Sequence, residues 1–322
     1  MAAHVLNRSL IPEIADKVED GARAITLRIR TGRFQRWLAL VAGLSSALTG
    51  TEVGYLHYRG SYSRRVMYTP VILSAALFGA GIWAFRSRRA ACSVLPAVSS
   101  LALVDSIVGS YFHVRGIQRK PGGWRLPLNN IMMGPPIFAP LLFSTSAYLG
   151  LIASFLERDD SPDRLSFSSK RPWLSRFIPK PGQLRWEREL SEGRFQKHLA
   201  VVTAVSALCS GTEALYSHYK NNFRYKAQWT PVVVAPLLVA TSAGAVISPR
   251  IARTWLPAMS SAAMLNGAVG FGYHARGVVR RPGGSKMIFY NIIHGPPVLA
   301  PLLFAAAGFM GLLASLMRRE EA

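Results

Sequence analysis

The second half of this chain repeats the first half in register, at a constant displacement of 161 positions. A repeat of this length limits the fold to two copies of one structural unit. Much of the apolar sequence differs between the copies, whereas a few polar residues match, and function is therefore sought among those residues. The matching residues include Thr51-Glu52 and Thr212-Glu213, His57 and His218, His113 and His274, and Gly134-Pro135-Pro136 and Gly295-Pro296-Pro297.

Long apolar stretches fill both copies. A helix needs roughly 20 mainly apolar residues to cross a bilayer, and four stretches in each half meet that length. They lack the short alternating pattern of barrel strands. The predicted fold is an all-α integral membrane protein with eight transmembrane helices, arranged as two tandem four-helix repeats. The predicted spans are residues 37–58, 69–85, 90–113 and 135–156, then 198–219, 230–248, 254–274 and 296–317.

An even number of spans makes both repeats enter the membrane from the same side, so the predicted repeats are parallel. Four segments follow from this pattern. Residues 1–31 form a cytoplasmic amphipathic segment and residues 32–157 the first repeat. Residues 158–192 form a basic cytoplasmic linker, and residues 193–322 the second repeat.

The formal net charge is +22, but the basic residues lie in the loops between spans. With the amino terminus inside, 24 of the 38 Lys and Arg residues face the cytoplasm. The positive-inside rule then places both termini in the cytoplasm. We expect a protein of a bacterial cytoplasmic membrane whose first partner is the lipid bilayer, and no nucleic-acid role.

Four histidines and two glutamates gather at the outer ends of the predicted spans. Bis-imidazole ligation of haem needs one histidine from each of two facing helices at similar depth. His57 with His113, and His218 with His274, meet this requirement within each repeat. We therefore predict haem b, with these four histidines as the metal ligands, and keep a different metal ion or no cofactor as alternatives.

Other polar residues have predicted roles around the haem. Arg115 and Arg276 would neutralise haem propionates or other anionic groups. Glu52 and Glu213, deeper in the first span of each repeat, would orient an imidazole, take protons or contact a quinone. Asp105, which is Asn266 in the second repeat, lies two turns inward of His113 and is a candidate proton relay.

The layout of these residues resembles haem A synthase, a family of two tandem four-helix bundles with a glutamate and paired histidines on the outer side of each. The resemblance covers architecture and the Glu and His residues, not sequence motifs. In that family the histidines lie on the second and fourth helices and a cysteine pair lies in an outer loop. Here the histidines lie on the first and third predicted spans.

Three function classes follow. The first is a membrane redox protein that binds haem at the outer face and exchanges electrons with quinone or a membrane-associated dehydrogenase. The second is a proton- or cation-coupled transporter that uses Glu52, Glu213 and Asp105. The third is a noncatalytic membrane anchor or assembly subunit. No nucleophile triad, cysteine zinc site or nucleotide fingerprint is present, so enzymatic activity is left open.

Two further motifs concern packing and loop structure. Asn130 and Asn291 precede the Gly-Pro-Pro motifs, and we expect them to cap the fourth span of each repeat. The small-residue stretches 43–50 and 262–272 predict places where helices approach each other closely.

Overall fold

A computed structural model describes residues 33–159 and 193–316, and within these ranges the secondary structure is entirely helical, without strands. In the first half the helices are α1 (Arg33–Arg59), α2 (Thr69–Arg86), α3 (Arg88–Cys92), α4 (Val94–Gln118), α5 (Pro127–Met132) and α6 (Ala139–Asp159). In the second half they are α7 (Arg194–Lys220), α8 (Thr230–Ile247), α9 (Pro249–Arg253), α10 (Trp255–Val279), α11 (Ile288–His294) and α12 (Ala300–Leu316).

Among the residues that the structure describes, four helical segments are long and apolar enough to cross a membrane, which indicates a membrane protein. Their surfaces carry large exposed apolar side chains, such as Ile72 at 64% exposure and Ile107 at 68%. Exposure of such a continuous apolar surface to water is unfavourable, whereas contact with lipid is not. The segments are Arg65–Arg86, Arg88–Gln118, Arg194–Lys220 and Lys226–Ile247; the apolar parts of α6 and α12 are shorter.

The long helices of each half pack side by side. In the first half α1 packs against α2 and α6, and α4 packs against α2 and α6. In the second half α7 and α10 have the equivalent neighbours, α8 and α12. Contacts of α6 with α7 and of α1 with α12 join the two halves. The buried core consists mainly of Leu and Ala side chains from both halves.

Small residues allow the backbones of neighbouring helices to approach closely in both halves. A Cβ added to Gly81 on α2 would lie 2.6 Å from the Ala39 carbonyl oxygen on α1 and 2.8 Å from the Cα of Gly43. In the second half a Cβ on Gly267 of α10 would lie 2.5 Å from the Pro301 carbonyl oxygen on α12. The two predicted small-residue stretches therefore each contain a glycine at a close helix contact.

Helices α6 and α12 begin later than the sequence suggested. The fourth spans were predicted from residues 135 and 296, but the helices start at Ala139 and Ala300 because the Gly-Pro-Pro segments remain nonhelical. Pro140 and Pro301 consequently occupy the first helical turn, where a missing backbone N–H costs no internal hydrogen bond.

Two predicted segments lie outside the described residues. These are the amphipathic segment 1–31 and all of the linker 158–192 beyond Asp159, where α6 ends. Their predicted structures, and the cytoplasmic location of both termini, stay predictions.

Candidate functional site

The four histidines lie near the carboxyl ends of α1, α4, α7 and α10, and we call this side of the molecule the histidine end. A contact between the halves shows that both contribute to the same side. The backbone N–H of Phe138, just before α6, donates to Oε1 of Glu213 near the end of α7 at 3.1 Å. The end of α7 therefore lies beside the beginning of α6.

Backbone carbonyls hold three of the histidine rings. Nδ1 of His57 lies 2.7 Å from the Met67 carbonyl oxygen. Nδ1 of His113 lies 2.5 Å from the Pro136 carbonyl oxygen, and Nδ1 of His274 lies 2.5 Å from the Pro297 carbonyl oxygen. A carbonyl can only accept, so Nδ1 must donate in each case.

This arrangement determines the chemistry of the opposite ring nitrogen. In a neutral imidazole with a proton on Nδ1, Nε2 carries the free lone pair. No hydrogen bond to Nε2 of these three rings occurs within residues 33–159 and 193–316. A ring held through Nδ1 by a carbonyl is the usual arrangement for a histidine that binds a metal through Nε2.

His57 and His113 line one cavity of about 450 Å³ in the first half. Its wall is mostly apolar and includes Leu56, Phe112 and Phe143. Two imidazoles from different helices thus face a space large enough for an organic ligand. Three arginines also line this cavity, namely Arg64, Arg115 and Arg119.

Asp105 lines the same cavity. Its Oδ1 lies 2.6 Å from the Thr69 hydroxyl, which also lies 2.8 Å from the Val66 carbonyl oxygen. The hydroxyl has a single proton for these two acceptors, unless the Asp105 carboxyl itself carries a proton. In the second half Thr230 donates to the Ala227 carbonyl at 2.7 Å, and residue 266 is asparagine. Asp105 is therefore positioned to hold a proton in this cavity.

In the second histidine pair the two rings are in contact with each other. The ring centroids of His218 and His274 are 6.4 Å apart and their planes are nearly perpendicular, at 87°. Phe223 stacks on Trp229 beside them at 4.0 Å, as Tyr62 stacks on Tyr68 at 4.2 Å in the first half. Both halves thus build an aromatic stack beside the first histidine, although the stacking residues differ.

Glu52 and Glu213 do not join the histidines. Neither lines the histidine cavity, although His57 is only five positions after Glu52. On a regular helix this spacing turns the two side chains about 140° apart, which explains why they face different neighbours. In the first half, the predicted contact between Glu52 and an imidazole is therefore absent from the described residues.

The two arginines predicted to bind anionic groups are both exposed. Arg115 donates to the Tyr111 hydroxyl at 2.9 Å and lies over the same ring, at the rim of the histidine cavity. Arg276 is the equivalent residue on α10. Of these two arginines, Arg115 lines the histidine cavity and Arg276 does not.

The asparagines predicted to cap the fourth spans have another role. Asn130 is buried in the short helix α5 and donates its amide to the carbonyls of Pro121 (3.0 Å) and Gly123 (2.8 Å). Asn291 donates to Pro282 and Gly284 in the same way. The asparagines therefore hold the Pro-Gly-Gly turns and do not cap α6 or α12.

A compact site for a bare metal ion is not present in the described part of the chain. No group of three or more His, Cys, Asp or Glu side chains lies close enough together there to hold such an ion. The histidines instead form two separate pairs, so a metal held by all four together is excluded. A pair remains compatible with a metal whose other ligands come from a macrocycle.

Sequence reasoning missed the carbonyl partners of the histidines, although a signal was present. His113 and His274 each precede the proline that holds them by 23 positions, and that proline is the last residue of a Gly-Pro-Pro motif. The joint recurrence of the two motifs at one spacing could have indicated their contact.

No family model, curated protein or solved structure shows significant similarity to this chain. Its function must therefore be inferred from the site itself.

Proposed function

We propose that this chain is an eight-span membrane protein of two tandem four-helix repeats, and that it binds haem b between His57 and His113. Such a haem would supply one-electron chemistry, with which the protein would exchange electrons with quinone or a membrane-associated redox partner. The observation that carries it is the pair of imidazoles, each held through Nδ1 by a carbonyl, that face one cavity from two helices.

The repeat architecture is supported by the helix bounds. Helices α1 and α7 begin 161 positions apart and also end 161 positions apart, and so do α4 and α10. The contact between Phe138 and Glu213 supports a parallel arrangement, because it brings the end of α7 to the beginning of α6. In an eight-span protein α1, α6, α10 and α12 would cross the bilayer beside the four segments identified above.

The cavity wall supports haem over a small polar ligand. Haem presents a large apolar face and two propionates at one edge, and the cavity combines apolar walls with arginines. Arg115 and Arg119 leave α4 within two turns of His113, which suits them to propionates while the imidazoles bind the iron.

The test is a reduced-minus-oxidised absorption spectrum of the full chain, purified in detergent from haem-replete cells, with haem per chain measured in parallel. We expect a b-type band in the wild type. His57→Ala and His113→Ala should each remove the haem of the first half, since neither imidazole alone supplies both axial ligands. His294→Ala is the matched control, because His294 corresponds to Met133 in the first half.

The result distinguishes the function classes. A colourless wild type would overturn haem binding and leave a transporter or an assembly subunit. Full haem content in His57→Ala would overturn the assignment of the ligands. If the band is present, mixing the reduced protein with a water-soluble quinone analogue should reoxidise it, and no reoxidation would exclude quinone as the electron acceptor.

A further inference from the structure

Two carboxylates from different halves lie near each other, close to the contact between the halves. Glu52 on α1 is only 7% exposed, and it is close enough to Glu213 on α7 for their charges to interact. Neither forms an ion pair with a Lys, Arg or His side chain among residues 33–159 and 193–316. A buried carboxylate beside a half-buried one, without a cation, cannot remain charged together with it at low cost.

The hydrogen bonds of the two carboxylates differ. Oε1 of Glu213 accepts the Phe138 N–H at the start of α6, where the helix dipole also favours a negative charge. The Tyr55 hydroxyl lies close enough to the Glu52 carboxyl to act as its hydrogen-bond partner. Within the described residues, however, no hydrogen bond of normal geometry reaches the buried Oε2 of Glu52 or the Tyr55 hydroxyl. Glu213 is therefore suited to carry the charge, and Glu52 is suited to carry a neutralising ligand.

We propose that Glu52 and Glu213 form a one-proton site at the contact between the two halves, with the proton on Glu52 and the negative charge on Glu213. The proton satisfies the pair without any further group, since a protonated Glu52 is neutral and can donate toward its neighbours. This site is separate from the histidine cavity and does not depend on haem.

The surrounding helices provide no alternative cation. Helices α8 and α12 contain no charged residue, and those of α2 and α6 lie at the opposite ends of these helices. The titratable groups nearest the pair are themselves neutral or acidic: Tyr55 on α1, and Cys209 and Tyr216 on α7. The charge of Arg59, an exposed residue at the end of α1, acts on Tyr55, but Arg59 forms no ion pair with either carboxylate in the described residues. On α11, which packs against α1, the His294 ring instead packs on Tyr290 at 4.5 Å.

The location gives the proton a function. Because the carboxylates belong to different halves, loss of the proton would place two negative charges across the contact and push the halves apart. Protonatable carboxylates inside membrane-spanning helices commonly bind the protons that pumps and transporters move. The pair is thus a proton-binding site whose charge would change the interaction between the two halves.

Infrared spectroscopy of the full chain in lipid nanodiscs tests this site, with spectra compared between H₂O and D₂O. All samples carry Asp105→Asn, because Asp105 is the other acid positioned to hold a proton. At neutral pH we expect the C=O stretching band of one protonated carboxylic acid, shifted in D₂O. Adding Glu52→Gln should remove that band, with the folded state checked by size-exclusion chromatography.

The spectrum before any Glu52 substitution already shows whether a protonated carboxylic acid is present. Misfolding of the Glu52→Gln variant therefore does not prevent the test. Absence of an acid band there would overturn the proposal. If Na⁺, K⁺ or Ca²⁺ instead shifts carboxylate bands that Glu52→Gln abolishes, the site holds a metal cation and the proton assignment is wrong. Haem content is measured separately, and neither infrared result changes the conclusion about haem binding.

Discussion

Replacing Gly81 with alanine should destabilise the protein by about 1–3 kcal/mol, although alanine is the better helix former. The added Cβ would lie 2.6 Å from the Ala39 carbonyl oxygen and 2.8 Å from Cα of Gly43, both backbone atoms of α1. Backbone cannot rotate away as a side chain can, so α1 and α2 must separate. The measurement is the thermal unfolding midpoint in detergent, followed by fluorescence-detected size-exclusion chromatography.

Gly79 provides the matched control, because it lies two positions earlier on the same helix and faces outward. A Cβ at Gly79 would meet no atom within 4 Å. Gly79→Ala should therefore leave the midpoint unchanged or raise it, by up to about 1 kcal/mol in stability. Equal midpoints for Gly79→Ala and Gly81→Ala would contradict the close approach of α1 and α2.

Replacing Asn130 with aspartate should cost about 1–3 kcal/mol and loosen the connection between α4 and α6, which contains the Pro-Gly-Gly turn, α5 and the loop with the Gly-Pro-Pro motif. The side chain keeps its size, but a carboxylate cannot donate to the carbonyls of Pro121 and Gly123 that the amide now holds. Asn130 is 2% exposed, so water cannot easily replace the lost donor. The same loop provides the Pro136 carbonyl that holds His113, and haem content should fall as well.

Asn129→Asp is the control for this substitution, because Asn129 is the exposed neighbour on α5. Its only side-chain hydrogen bond is a long one of 3.5 Å to Asn130. We expect its midpoint and protease sensitivity to match the wild type, whereas Asn130→Asp should be cleaved faster between residues 120 and 138. Unchanged stability in Asn130→Asp would show that the amide does not hold the turn.

The helices could be placed from the sequence, because apolar stretches and their length act locally. Helices α1, α2, α7 and α8 lie close to the predicted spans, whereas the starts of α6 and α12 were wrong by four residues at Gly-Pro-Pro. There the apolar pattern continues through residues that cannot be helical, since consecutive prolines remove N–H donors and restrict the preceding residue. Hydropathy alone does not detect such a boundary.

The candidate site was predicted only in part. His57, His113 and Asp105 line one cavity in the first half. The glutamates, predicted one or two turns deeper with orienting an imidazole as one of three possible roles, lie outside this cavity, and Glu213 contacts the other half. The partners of the site residues are mostly backbone carbonyls, which carry no sequence signature of their own. That is why the Met67 carbonyl could not be named in advance, whereas the carbonyls of Pro136 and Pro297 could have been inferred only from the spacing that the two histidines share with the Gly-Pro-Pro motifs.

The sequence by itself determined that the chain is helical and apolar, that its polar residues recur at one displacement, and that the histidines lie at helix ends. These properties depend on residues near one another in the chain. Only the tertiary structure decided that α1 and α2 approach at Gly43 and Gly81 in one half, while α10 and α12 approach at Gly267 in the other. It alone also brought Glu213 to Phe138, just before α6, because that contact joins residues 75 positions apart and depends on how whole helices pack.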